Sequence, residues 1–138
     1  MRLWHKDLIP VLPRQQLLGQ WRECCAIAKN IAEKGTPNHI LVNRIMDYPL
    51  SHFYTYGCLV WDEMNKRHYI GFLDKFTKYF DAKNSLFLDK KSIFPEWHND
   101  RYMRQCGINL EEKADCGGID WEEWSNIHWY ILNRGIII

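Results

Sequence analysis

The sequence predicts an all-α fold, several helices packed at varied angles in one domain spanning residues 1–138. Three observations predict it. Apolar residues in the longest segments recur with the 3.6-residue period of a helix. No segment alternates apolar and polar residues as a half-buried strand does. Proline, glycine and Asp/Asn stand where such helices start and stop.

Taken in order, residues 1–13 read as an extended arm, because Pro10 and Pro13 oppose a helix. Pro13 then opens a helix from Arg14 to Lys34, stopped by Gly35. Its apolar stripe is Leu17, Leu18, Trp21, Cys24, Cys25, Ala28, Ile31 and Ala32. Thr36-Pro37-Asn38 is a turn, and a short helix is expected from His39 to Met46. Asp47 and Pro49 suggest the cap and first turn of a second long helix, to about Arg67, with Glu63 and Arg67 as an i, i+4 pair. Another helix is expected from Phe72 to Phe80, and a turn-rich stretch from Lys83 to Phe94. Pro95 to Asp115 reads as helical with Gly107 as a weak point, and Cys116-Gly117-Gly118 breaks it. Asp120 and Glu123 look like a capping pair for a last helix, Trp121 to Asn133.

Composition narrows the function classes. A net charge of +1 gives no global attraction to nucleic acid, so any DNA contact must come from a local patch. No apolar run approaches the roughly 18 residues a membrane span needs. Arg2, His5, Lys6 and Asp7 interrupt the first residues, which therefore do not read as a signal peptide. Five Cys without a C-x-x-C pair fit free thiols in a reducing cytoplasm. The six His show no H-x-x-x-H spacing, which argues against a metal, and no cofactor is expected. Cys24 and Cys25 lie toward the apolar stripe and read as inert core thiols. Trp121, Trp124, Trp129 and Tyr130 are placed for packing the last helix before stacking on bases. The acidic pairs Asp62-Glu63 and Glu111-Glu112 read as solvated.

On the first long helix, turning 100° per residue puts Glu23 opposite the apolar stripe, with Gly19, Gln16 and Gln20 alongside. A helical glycine costs about 1 kcal/mol relative to Ala, and close approach by another backbone is a reason to keep one. The arm of residues 1–13 is a candidate to cross above Gly19. Geometry alone still favours a solvated Arg22–Glu23 surface pair.

A resemblance changes that weighting. Met1-Arg2-Leu3-Trp4-His5, together with Arg14-Gln15-Gln16-Leu17-Leu18-Gly19-Gln20-Trp21-Arg22-Glu23, resembles the pyrimidine-dimer DNA glycosylase/AP lyase family of the phage endonuclease V type. More closely than the phage type, it resembles a bacterial branch that begins M-R-L-W-H and continues L-P-R-x-Q-L-L-G-Q-x-R-E. Phe94-Pro95-Glu96-Trp97-His98-Asn99-Asp100-Arg101-Tyr102 and Met64-Asn65-Lys66-Arg67-His68-Tyr69 share the likeness more weakly. The resemblance covers residues 1–25 well and 1–113 loosely.

The resemblance implies a small helical enzyme, a cytoplasmic monomer acting on lesion-bearing double-stranded DNA. The N-terminal α-amine attacks the sugar C1′ of the damaged nucleotide, and a helix carboxylate assists. Carried over, Met1 supplies the amine and Glu23 the essential carboxylate. Arg2 is the neighbouring cation and Arg22 the helix partner. Gly19, Gln16 and Gln20, from their place beside Glu23 on the helix, and Arg14 and Lys29, as phosphate contacts, complete the expected substrate-binding set. Arg44, Arg101 and Arg104 are further phosphate candidates. An α-amine, with a pKa of about 7.7–8.0, is partly neutral near pH 7 where a lysine is almost wholly charged. Arg2 is too bulky to favour removal of Met1, so Met1 is expected to be retained; if it is removed, Arg2 becomes the amine.

The sequence departs from the family's pattern in three places. Ala26 stands where an arginine follows the glutamate, and Gln16 where a histidine precedes it. Arg134-Gly135-Ile136-Ile137-Ile138 replaces an aromatic-basic tail. These departures bear on dimer specificity more than on lyase chemistry. They also leave two other readings open, a DNA-binding module without catalysis and a helical protein–protein adaptor.

Overall fold

A computed structural model describes residues 1–138. It contains five α-helices and no strand: α1 (Arg14–Lys34), α2 (Leu50–Lys66), α3 (Asp74–Thr77), α4 (Asp100–Asp115) and α5 (Trp121–Leu132). Three short 3-10 turns lie at Lys6–Val11, Asn43–Asp47 and Lys90–Ser92. Helix α1 packs on α2 and α3, and α4 packs on α5. The turn at Lys6–Val11 touches both α2 and α5, so the start of the chain is the seam between the two helical groups.

This corrects the expected extended arm. The N–H of Asp7 donates to His5 Nδ1 (3.1 Å) and that of Leu8 to the His5 carbonyl (2.8 Å), which winds the backbone into a tight turn. Pro10 is tolerated inside it because a 3-10 turn this short leaves few N–H groups to bond. Leu3, Trp4, Leu8, Ile9 and Leu12 then enter the common core. Burying these five side chains stabilises the fold by roughly 1.5–3 kcal/mol each before entropy is charged. The buried Lys6 ammonium donates to the Ile93 carbonyl (2.6 Å), tying the turn to the segment before α4.

Helix α1 has the expected ends. Pro13 sits at its N-cap position, and Gly35 adopts a left-handed φ of 76° and donates to the Ile31 carbonyl (2.9 Å). Its buried face differs from the expected stripe: Gln20 and Ile27 are buried while Ala32 is exposed. The face turns because the first residues of the chain lie along the Gln20 edge. Glu23, expected opposite the stripe, is therefore half-buried at the margin of the core.

Three other segments differ. Helix α2 starts behind Pro49 without a side-chain cap from Asp47. The expected helix over Phe72–Phe80 shrinks to α3, because Phe76 is driven into the core over Gly57, where a Cβ would overlap its ring. Residues 95–99 are not helical; α4 begins at Asp100, with Asn99 accepting from the Tyr102 N–H (3.0 Å). Gly107 is a contact point, since Ile131 and Ile138 fill the space its missing side chain leaves. Asp120 caps α5 by accepting from the Glu123 N–H (2.8 Å). No helix is long and apolar enough to cross a membrane.

Candidate active site at the chain start

Residues 1–5 belong to no helix or strand, so their backbone groups need partners from elsewhere. Helix α1 supplies the first. The Gln20 side chain, 1% exposed, donates from Nε2 to the Arg2 carbonyl (2.9 Å) and accepts at Oε1 from the Trp4 N–H (2.7 Å). From α2, the Tyr56 hydroxyl reaches the Trp4 carbonyl (2.6 Å) and Gln20 Oε1 (2.9 Å). From α4, the Tyr102 hydroxyl donates to the Leu3 carbonyl (2.6 Å). Each carbonyl of residues 2, 3 and 4 thus accepts from a side chain of a different helix. Burial raises the pKa of both tyrosines, so their hydroxyls stay protonated and able to donate.

This arrangement brings Glu23 to the chain start. Its Oε2 accepts from the Arg2 backbone N–H at 3.4 Å and lies 3.5 Å from Gln20 Nε2. Both contacts are long, which leaves the carboxylate most of its accepting capacity. One covalent step earlier, the Met1 amine lies within about 7 Å of that oxygen. Met1 is 43% exposed and so is not packed into the core. The Arg2 guanidinium lies over the Trp4 ring, 5.4 Å from its centre.

The other expected site residues scatter. Gln20 contacts the protein's own backbone and is closed to solvent, so it supports the site and does not face substrate. Gly19 is not crossed by the arm; the Arg22 guanidinium folds back over it, 3.7 Å from where a Cβ would stand. The chain crosses one residue later, at Gln20, because an amide can bond a passing backbone and a glycine cannot. Arg22 is exposed beside Glu23. Gln16 is half-buried, and its Oε1 has no partner. Arg14 stacks on Tyr69 (5.2 Å) in a separate cleft with Pro10, Arg67 and Glu123. Lys29 is exposed on another face of α1, about 9 Å along the axis from Glu23.

Two clefts of about 300 Å³ each adjoin the site. The first is lined by Arg2, Leu41, Tyr102, Gln105 and Asn109. The second shares Tyr102 and Gln105 and adds Arg44, Trp97, Asn99, Arg101 and the acidic Glu96. The two clefts meet at Tyr102 and Gln105 as one groove, lined by Arg2, Arg44 and Arg101; Met1 and Glu23 are not among its lining residues. Tyr56, Gln105 and Asn109 did not stand out in the sequence, and Tyr102 entered only as the last residue of the weaker Phe94–Tyr102 likeness. Helical spacing does not say which polar side chain meets which backbone. Cys24 is buried and its thiol pKa is pushed up by that burial, which leaves it inert. No group of three His, Cys, Asp or Glu side chains is arranged to hold a metal ion.

The chain is thus an all-helical protein whose first residues lie against a half-buried carboxylate, next to an arginine-lined groove. Residues 1–71 match the family model described as pyrimidine dimer DNA glycosylase. The match spans just over half the chain, and the protein belongs to that family. No curated protein and no solved structure matches. The matched segment contains Arg2, Gln20, Glu23 and Tyr56 but stops short of Tyr102.

Proposed function

We propose that the protein is a DNA glycosylase with associated AP lyase activity, acting on pyrimidine dimers or abasic sites through its N-terminal α-amine. The observation that carries this reading is the contact between the Arg2 backbone N–H and Glu23 (3.4 Å), in a chain of the pyrimidine-dimer glycosylase family. The neutral amine of Met1 attacks C1′, the N–C bond forms, and the base leaves with the electrons of the glycosidic bond. Glu23 accepts a proton from the attacking nitrogen and passes it to the departing ring oxygen as the sugar ring opens, leaving a protonated imine. Loss of a C2′ proton then expels the 3′ phosphate, and water hydrolyses the imine to free the enzyme. On an abasic site the same path begins at the aldehyde and releases water.

In this scheme Glu23 also stabilises the positive charge that develops on the attacked sugar. Arg2 and Arg22 flank the reacting sugar, and Arg44 and Arg101 hold strand phosphates along the groove. Arg14 and Lys29 lie too far round α1 for the same nucleotide and contact outlying phosphates of the duplex. The enzyme works as a monomer in the cytoplasm, without a cofactor.

A second reading of the nucleophile follows from the same contact. If Met1 is removed, the new amine is the Arg2 nitrogen, which already lies 3.4 Å from Glu23. Borohydride trapping on dimer-containing and abasic duplexes tests the scheme. A covalent protein–DNA adduct is expected, and sequencing its modified peptide identifies Met1 or Arg2 as the attachment point. Binding of both duplexes with no trapped adduct on either sinks the proposal in favour of a non-catalytic DNA-binding module.

A further inference from the structure

The matched family segment ends at residue 71, yet the chain start is also held from outside it. Tyr102, on α4, donates to the Leu3 carbonyl at 2.6 Å across 99 positions of sequence. The same side chain is a wall of the cleft that contains Arg2. Its ring is wedged among His5, Trp97 and His98, with centres 6.3, 5.7 and 5.0 Å away, so the hydroxyl cannot swing off its acceptor without moving the core. Leu3 is fully buried, and its carbonyl has no other partner to turn to.

We infer that Tyr102 is a positioning residue for the nucleophile, completing with Gln20 and Tyr56 a clamp that fixes residues 2–4 and aims the terminal amine. The inference rests on the reading above that the amine is the nucleophile. Its reasoning is geometric. A nitrogen at the end of a chain swings freely about its last bonds unless the residues behind it are held. Three hydrogen bonds to three successive carbonyls leave only Met1 itself to move. Near-attack geometry tolerates little error, and a displacement of about 1 Å costs on the order of a hundred-fold in rate. A buried tyrosine hydroxyl takes an acceptor wherever it packs; here the acceptor is the Leu3 carbonyl, two residues behind the terminal amine. A tyrosine that aims the amine belongs to the catalytic unit, so the unit includes α4.

The test compares wild type, Tyr102→Phe and Tyr56→Phe in single-turnover borohydride trapping on abasic duplex, across DNA concentration. Tyr102→Phe keeps the ring and removes only the hydroxyl. The maximal trapping rate is expected to fall between about ten- and a hundred-fold, while the half-saturating DNA concentration changes less than about two-fold. Amide hydrogen exchange, read without DNA, is expected to quicken at residues 2–5 and to stay unchanged in α1, α2 and α5. An unchanged maximal rate in Tyr102→Phe, or exchange that quickens evenly across the helices, overturns the inference. If Tyr102→Phe does not fold, Tyr56→Phe carries the same two readouts against the clamp. If wild type itself traps nothing while exchange in the variant loosens only residues 2–5, the clamp stands and the glycosylase reading falls.

Discussion

Residues near both ends of the chain are anchored in the core, through Leu3 and Trp4 at one end and Ile136 at the other, but only the first end adds side-chain bonds to its backbone. The first residues are held by directional bonds, in which Gln20, Tyr56 and Tyr102 each address a particular backbone atom. The last residues are held by apolar contact, with Ile136 buried and Ile138 resting on the bare backbone of Gly107. Apolar burial is non-directional, so it secures a segment without fixing where its final atoms point. Hydrogen bonds to charged or polar groups fix an angle as well as a distance. The contrast places orientation at the end where a reacting atom is proposed and plain adhesion at the other.

The sharpest break of this comparison is at Glu23. Glu23→Gln keeps shape and hydrogen-bonding size but removes the charge and the acid–base capacity. Trapping and strand cleavage are expected to fall between about a hundred- and ten-thousand-fold with DNA affinity retained. Normal turnover in that variant removes Glu23 from the mechanism.

Acid separates the two ends next. Burial lowers the pKa of His5 to about 4, Asp7 opposing the shift and Arg134 and Lys6 adding to it; burial pulls His98 down as well. His5 accepts from the Asp7 N–H (3.1 Å) and His98 from the Lys6 N–H (2.9 Å), which only unprotonated nitrogens can do. The unfolded chain, with a histidine pKa near 6.5, takes up these protons first as pH drops. For His5, stability is therefore full above pH 6.5, declines as pH falls toward about 4 and levels off below it; His98 adds a loss of the same sign. His5 alone contributes about 3 kcal/mol to that loss. Urea melts between pH 7.5 and 5 read it before most carboxylates titrate. A flat midpoint over that range contradicts it.

A smaller effect is expected at Arg67, whose guanidinium pairs with Glu63 (2.9 Å) and donates to the carbonyls of Leu12 (2.7 Å) and Pro10 (3.0 Å). Arg67→Met should cost about 2 kcal/mol, because the carbonyls where the N-terminal turn joins α1 lose their donors. The midpoint of chemical unfolding checks it. The smallest effect is at the other end. Gly107→Ala should displace the Ile131 and Ile138 side-chain tips and cost about 1 kcal/mol, leaving trapping unchanged. A loss of trapping in Gly107→Ala would tie the apolar end to the chemistry and erase the contrast.

Legibility followed range. Both ends of α1 were readable because Pro13 and Gly35 act on their own neighbours, and Asp120 was readable as a cap for the same reason. The helix at Phe72–Phe80 was overestimated because local spacing cannot see Phe76 being drawn into the space above Gly57. The expected stripe on α1 missed Gln20, since a glutamine reads as surface until a backbone is known to lie against it. Glu23 and Arg2 were picked out by likeness to a family, and the structure sets one against the other (3.4 Å).

By itself the sequence determined α1, α2 and α5 and where they stop, and which acid and which opening residues resemble a repair enzyme's. Those features depend on backbone preferences and residue order, which act over a few positions. Only the tertiary structure decided that the opening residues wind into the core and cross α1 at Gln20, with Tyr56 and Tyr102 holding them from 52 and 99 positions away. Such pairings are set by which buried carbonyl is left without a donor once the helices pack, and that is a property of the assembled core.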